Sequence, residues 1–365
     1  MNPKPRIECV DALRGLLASG IMFFHVFGWT NLLQTGTWHH FWNWLGIYGV
    51  EMFFVISGFS MAYVYLDRPL LTKNGLVDFF WKRFMRLWPL YFTAFLIATA
   101  FRFITHDMEG VNAKNAILHA TLLFGFIDPS IKGIIGGWSI GVEVVCYAAF
   151  PFLIWAWKKT WSTFILFTAL TAIAFFWSTT QLDPSLTLEP HWAAYVNPIN
   201  HVFLFAMGML IAKYFLEKRH SPANLFSRII LAFVSGITLF TPLTSTDLAT
   251  VTGMGRIVFV VLSFFLCLQS ATQIKTPEPL AKILNPIGLW SYSIYLLHPF
   301  AFQGLKLAGI ANQPILHASL TIVSTFLLAK FSYQYLEKPS VNWARKKSDL
   351  WFKTQTEPIN ASSSK

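Results

Sequence analysis

Charge is what this sequence is short of. Only 12% of its 365 residues are Asp, Glu, Lys or Arg, about half the share found in a soluble globular domain, too few for an ordinary water-facing surface. Cysteine is nearly absent. Cys9, Cys146 and Cys267 stand singly in or beside apolar segments, which excludes a paired-ligand spacing or a disulfide framework and leaves them as packing residues. His39 and His40 are adjacent, and no His-Glu-x-x-His or paired-Cys pattern exists, so no metal site is expected. A Gly-x-Ser-x-Gly elbow and a phosphate-cradling glycine loop are also missing. No Gly/Ser-rich or Pro-rich linker divides the chain, and no repeat of helical-array period stands out.

What the chain has instead is hydrocarbon. Hydrophobic residues make up 55% of it, and the mean hydropathy is +0.50. Apolar runs recur at the length that crosses roughly 30 Å of lipid. The expected class is all-α, a polytopic membrane protein with about ten transmembrane helices. The expected spans are 8–29, 44–66, 84–105, 137–157, 161–179, 194–213, 226–243, 253–271, 283–306 and 315–336. The first is read as a retained helix rather than a signal peptide, because Asp11 and Arg14 interrupt it. Residues 115–127 are apolar but too short to cross, and are expected as an interfacial or re-entrant segment. One membrane domain, 1–340, and a short cytoplasmic polar tail, 341–365, complete the partition.

Basic residues fall in every other connection. Lys4 and Arg6, then Arg68, Lys73, Lys82, Arg83 and Arg86, then Lys158 and Lys159 begin a series that ends with Lys338, Arg345, Lys346 and Lys347. The intervening connections carry little positive charge beyond Lys114 and Lys132. The positive-inside rule then puts both termini in the cytoplasm. The net charge of +11 is on this reading a topology signal, and dispersed membrane anchors argue against nucleic-acid binding.

An ionisable side chain inside a crossing is expensive, so each one is a candidate site residue. Asp11, Arg14 and His25 share one stripe of the first span, because an eleven-residue step returns to within about 20° of its starting face. Arg14 is placed near the cytoplasmic end and His25 roughly 16 Å further along the axis. The bland alternative is a snorkelling Arg14 and a core histidine. Glu143, in Trp138-Ser139-Ile140-Gly141-Val142-Glu143, is expected about one and a half turns below the outer surface, at the depth of His25. There a carboxylate would orient the imidazole and raise its basicity for general-base work on a hydroxyl; a packing ion pair is the competing role. His298 precedes Pro299, so it either lines the site or serves a backbone carbonyl that the proline frees. Glu51 is read as a rim or pathway residue. Arg83 and Arg86 lie three apart on one helical face beside Lys82, an arrangement that suits a polyphosphate or lipid headgroups. Trp29, Trp38, Trp42, Trp44, Trp138 and Trp192 gather near the outer connections, as sugar-stacking residues or as an interfacial belt.

These segments together resemble the membrane acyltransferases of acyltransferase family 3. The resemblance is carried by Asp11-Ala12-Leu13-Arg14-Gly15 with His25, Gly49-Val50-Glu51-Met52-Phe53-Phe54-Val55-Ile56-Ser57-Gly58-Phe59, and Arg83-x-x-Arg86 with Trp88-Pro89-Leu90-Tyr91. It continues in the Trp138–Glu143 run, Ser291-Tyr292-Ser293-Ile294-Tyr295-Leu296-Leu297-His298, and Tyr335-Leu336-Glu337-Lys338-Pro339, so it spans about residues 7 to 340. It implies a bacterial inner-membrane O-acyltransferase that moves an acyl group, usually acetyl, from cytoplasmic acyl-coenzyme A to a hydroxyl of a surface carbohydrate. O-antigen, exopolysaccharide and lipid-linked glycans are such acceptors. Carried over by motif, His25 and Glu143 are the catalytic pair, and Arg14, Lys82, Arg83 and Arg86 hold the coenzyme A phosphates. Asp11, Trp138, Ser139, Tyr295 and His298 support the site. Acetyl-CoA is the expected donor and membrane lipids the surroundings. An appended extracytoplasmic domain, present in some members, is not expected after so short a tail. Three alternatives stay open: a transporter or flippase, a non-catalytic membrane scaffold in which His25→Ala is silent, and within the enzyme reading an acyl-histidine intermediate instead of direct transfer.

Overall fold

The computed structural model describes residues 4–32, 37–157, 160–183, 185–217 and 278–353, and among these no strand occurs. The long helices are α1 (Glu8–Trp29), α2 (Thr37–Tyr65), α3 (Lys73–Thr105), α6 (Gly137–Ala156), α7 (Thr160–Gln181), α9 (Val202–Glu217), α11 (Ser291–Leu307) and α12 (Pro314–Ser332). Shorter pieces are α4 (Ala113–Thr121), α5 (Phe124–Ile127), α8 (Trp192–Tyr195) and α10 (Glu278–Leu289). A π-helical turn, Tyr333–Glu337, joins α12 to α13 (Lys338–Lys353).

The protein is an all-α, multi-pass membrane protein. Seven stretches among the described residues are long and apolar enough to cross a bilayer. Their outward faces are hydrocarbon: Trp161, Phe164 and Phe176 of α7 and Val323 and Phe331 of α12 are more than half exposed, which fits lipid as the solvent and would be unstable in water. The expected spans 226–243 and 253–271 lie outside the described residues. The expected span 283–306 is two helices placed end to end, α10 and α11, parted at Trp290.

Other boundaries moved for local reasons. α3 begins eleven residues before the expected 84, because Thr72 accepts from Gly75 N at 3.1 Å and caps a helix that already contains Lys82 and Arg83. The 115–127 segment is broken at Leu122, whose φ of 60° ends α4, and neither half reaches crossing length. The tail expected from 341 is helical as far as Lys353, held by Trp81 donating to the Ala344 carbonyl at 3.2 Å.

Two glycine contacts set the arrangement around the site. α2 and α9 touch backbone to backbone: a Cβ on Gly58 would stand 1.9 Å from the Phe205 carbonyl oxygen, and one on Gly208 1.9 Å from that of Val55. α1 meets α10 in the same way, a Cβ on Gly288 falling 2.0 Å from the Asp11 carbonyl. Small residues are the means by which helices approach closely in lipid, where no water-driven force brings them together. The second contact fixes the rotation of α1, and with it where Asp11, Arg14 and His25 point.

Candidate functional site

Polar groups collect at two levels of the bundle. The first lies toward the end that bears the basic connections. Asp11 stands between Arg6 at 3.0 Å and Arg14 at 3.6 Å, and Arg14 Nη2 donates to Ser60 Oγ of α2 at 2.8 Å. Arg86 of α3 pairs with Glu337 at 2.6 Å, lies over the Tyr292 ring at 5.5 Å, and shares that carboxylate with the Ser293 hydroxyl, which donates to its other oxygen. Lys82 pairs with Asp78 at 2.6 Å. Three of the four cations expected at a phosphate site, Arg14, Lys82 and Arg86, thus meet a carboxylate. Arg83 meets none among the described residues, and its buried Nε makes no hydrogen bond.

The second level is at the opposite end. A cleft of about 440 Å³ opens among α1, α2, the 129–136 loop and α8. His25 lines it, with Trp138, Trp192, Tyr195 and Tyr295 on the walls and Lys132 and Arg102 among its residues. The His25 ring has two near-parallel neighbours, Trp29 at 5.1 Å between centroids and His298 at 5.0 Å, each 20° from parallel, and these two lie 5.7 Å from each other. His25 Nδ1 and His298 Nε2 are 3.1 Å apart. His298 is 1% exposed, and its Nδ1 bonds to the Ile294 carbonyl at 3.1 Å. His298 thus bonds to the Ile294 carbonyl, which is not the one that Pro299 frees, and meets His25 from behind the residues that line the cleft. Ser139 donates to Tyr295 Oη at 2.9 Å, and Tyr295 donates to the Gly136 carbonyl at 2.9 Å, which pins the left-handed turn at Gly136 (φ 77°) in the cleft wall.

Glu143 is not where the depth argument put it. Its carboxylate accepts from Ser57 Oγ at 2.9 Å and from Tyr147 Oη, and its charge acts on Arg14 and Arg86; the nitrogen partner of His25 belongs to His298. Rise along a helix gives depth and leaves azimuth open. The azimuth of α6 is set by Gly141, where a Cβ would stand 2.9 Å from Gly125 Cα and 2.5 Å from the Phe124 ring, and this contact turns Glu143 toward α2. The glutamate belongs with the arginine level.

Of the tryptophans named from sequence, Trp138 and Trp192 line the cleft, Trp29 covers the histidine pair, Trp42 packs on Phe23 and Phe27, and Trp44 is 2% exposed against Tyr48. The Trp38 side chain lies outside the described ones. Three buried residues escaped the sequence reading. His201 bonds to the Tyr195 carbonyl at 2.7 Å and lies 3.7 Å from Glu51, under the Trp138 ring. His119 is held by Tyr91 Oη at 2.8 Å. Glu337 had been quoted in a motif without its partner, Arg86. A histidine within an apolar run was the available signal for the first two. Among the described residues no group of three His, Cys, Asp or Glu side chains converges on a metal-sized site.

The bundle thus carries an imidazole in the lining of one cleft and, on the same helix, Arg14 at the other polar level. The chain belongs to the acyltransferase domain family Acyl_transf_3, which matches residues 7–331, and it is a membrane O-acyltransferase by that membership. It is 26% identical over 324 residues to the exopolysaccharide production protein ExoZ of Rhizobium meliloti, covering 85% of this chain and 93% of that protein. Nodulation protein 10 of Rhizobium leguminosarum bv. viciae is 23% identical, with 91% and 92% covered. The peptidoglycan O-acetyltransferase OatA of Listeria monocytogenes is 24% identical over 91% of this chain and 55% of its own length. No solved structure matches.

Proposed function

We propose that the protein takes an acetyl group from acetyl-coenzyme A at a cytoplasmic mouth and transfers it to a hydroxyl of a cell-surface carbohydrate held in the cleft. The membrane would be the bacterial inner membrane, crossed about ten times with both termini inside. The observation that carries the reading is the position of His25. It is reachable from the cleft, and about 16 Å along the same helix from Arg14, a gap that an extended pantetheine arm spans.

In this scheme Arg83, which meets no carboxylate among the described residues, holds the coenzyme A phosphates together with Arg14, Lys82 and Arg86. The acceptor sugar stacks on Trp138 and Trp192. As its hydroxyl oxygen attacks the thioester carbonyl, His25 takes the hydroxyl proton. The carbon–sulfur bond breaks, and the thiolate leaves as free coenzyme A after recovering that proton from the imidazolium. Glu143, bonded to Ser57 and Tyr147, balances charge at the arginine level instead of orienting the base.

The test is a proteoliposome assay with labelled acetyl-CoA inside and candidate glycans outside. Labelled glycan and free coenzyme A are expected in equal amounts, and His25→Ala is expected to cut the rate by at least about 100-fold. Release of coenzyme A in a single turnover with no glycan present would replace direct transfer by an acyl-histidine route. Solute movement with no thioester cleavage would favour a transporter and end the proposal. Mass analysis of surface glycans from cells with and without the protein names the acyl group and the acceptor.

A further inference from the structure

We infer that His298 is a positioning residue that sets the tautomer of His25, keeping the proton on Nδ1 so that Nε2 is the bare nitrogen facing the acceptor. The inference rests on the reading of His25 as the reacting imidazole and extends it to the second ring.

The constraint starts at the α11 backbone. His298 Nδ1 lies 3.1 Å from the Ile294 carbonyl. A carbonyl oxygen only accepts, so Nδ1 of His298 carries hydrogen. A neutral imidazole has one N–H, and Nε2 of His298 is therefore a lone pair. That lone pair lies 3.1 Å from Nδ1 of His25. Two lone pairs facing each other at that distance repel, so Nδ1 of His25 is the donor.

The result is a fixed order of donors running from His25 to His298 to the α11 backbone, ending with His25 Nε2 unprotonated. Among the described residues no carboxylate bonds to either ring, so a neutral imidazole does here what an aspartate does in a catalytic triad: it selects the tautomer and accepts from the imidazolium when that forms. When Nε2 takes the hydroxyl proton, Nδ1–H continues to donate to His298, and no second proton transfer is needed. Trp29 lies 15° from the plane of His298 and 20° from that of His25, so its face holds the two rings in register and favours the cationic stage. Direct transfer and the acyl-histidine route both need a bare Nε2, and the inference serves either.

The experiment has one arm that does not depend on turnover. Protein labelled with ¹⁵N-histidine in nanodiscs is compared with His25→Gln to assign the ring, and two-bond nitrogen–proton couplings report which nitrogen holds hydrogen. Hydrogen on Nδ1 of His25 is expected; hydrogen on Nε2 in the unsubstituted protein overturns the inference. In the second arm, His298→Leu removes the acceptor, and His298→Gln returns one through its amide oxygen. The leucine variant is expected to lose about 100-fold in kcat with the donor KM unchanged, and the glutamine variant to recover at least tenfold of that. A leucine variant at the parent rate, or a folded glutamine variant no better than leucine, also overturns it. If neither variant accumulates, the coupling measurement on the unsubstituted protein still decides. Absence of any transferase activity alongside the Nδ1–H form would sink the enzyme reading and leave the hydrogen-bond order standing.

Discussion

Glu337 is 2% exposed, and its two oxygens are both in use, one by Arg86 at 2.6 Å and one by Ser293. A carboxylate so enclosed is tolerated because the guanidinium and hydroxyl replace its water. Glu337→Gln should therefore leave the Arg86 charge stranded and cost about 3 kcal/mol, read as a lower denaturation midpoint in detergent, whereas Lys132→Gln, whose partner Glu109 is exposed, should cost less than about 1 kcal/mol. His119 makes the residue-scale prediction for pH. It lies between the membrane-crossing helices α3 and α6, and burial lowers its pKa to about 4, with the Arg102 charge adding to the effect. A histidine depressed in the fold stabilises it fully above the unfolded pKa of about 6.5 and loses that contribution as pH falls toward 4. Hydrogen-exchange protection factors in residues 113–133, taken against the intrinsic exchange rate at each pH, should fall between pH 7 and 5, and His119→Phe should remove that fall.

At the scale of elements, the helices are placed by backbone contact more than by side-chain volume. The Gly58–Gly208 crossing leaves no room for a methyl group, so Gly58→Ala and Gly208→Ala should each cost 1–3 kcal/mol or more through forced separation of α2 and α9. Gly28 and Gly304 are also helical, yet a Cβ there meets nothing within 4 Å; alanine at either should be neutral or stabilising by up to about 1 kcal/mol. Thermal inactivation of the four variants checks the contrast. The π-helical turn at Tyr333–Glu337 belongs to the same scale. The wide turn lies at the junction of α12 and α13 and ends on the glutamate that faces Arg86, and π turns occur disproportionately at functional positions.

For the whole molecule, the separation of two polar levels within an apolar shell is the feature that the proposed transfer across a membrane requires, with the cleft of His25 at one level and the arginines at the other. The proposed orientation predicts that, in a cysteine-free background, Lys114→Cys reacts with an impermeant maleimide from outside intact cells and Lys346→Cys reacts only after the membrane is opened. Both positions are exposed. The reverse pattern would invert the donor and acceptor sides.

Helical class, the multi-pass membrane character and the rough position of seven helices long and apolar enough to cross were legible in the sequence because they depend on composition and run length. Arg14 and His25 were legible as one stripe because both lie on a single helix, where spacing alone gives relative azimuth. The partner of His25 was not legible. Depth suggested Glu143, but which face of α6 turns inward was decided by the contact of Gly141 with Gly125, and the His298 ring arrived from a helix 273 residues away in sequence. The pairing of Arg86 with Glu337 was hidden for the same reason. Periodicity describes each helix in its own frame, and only close packing between helices brings those frames into register.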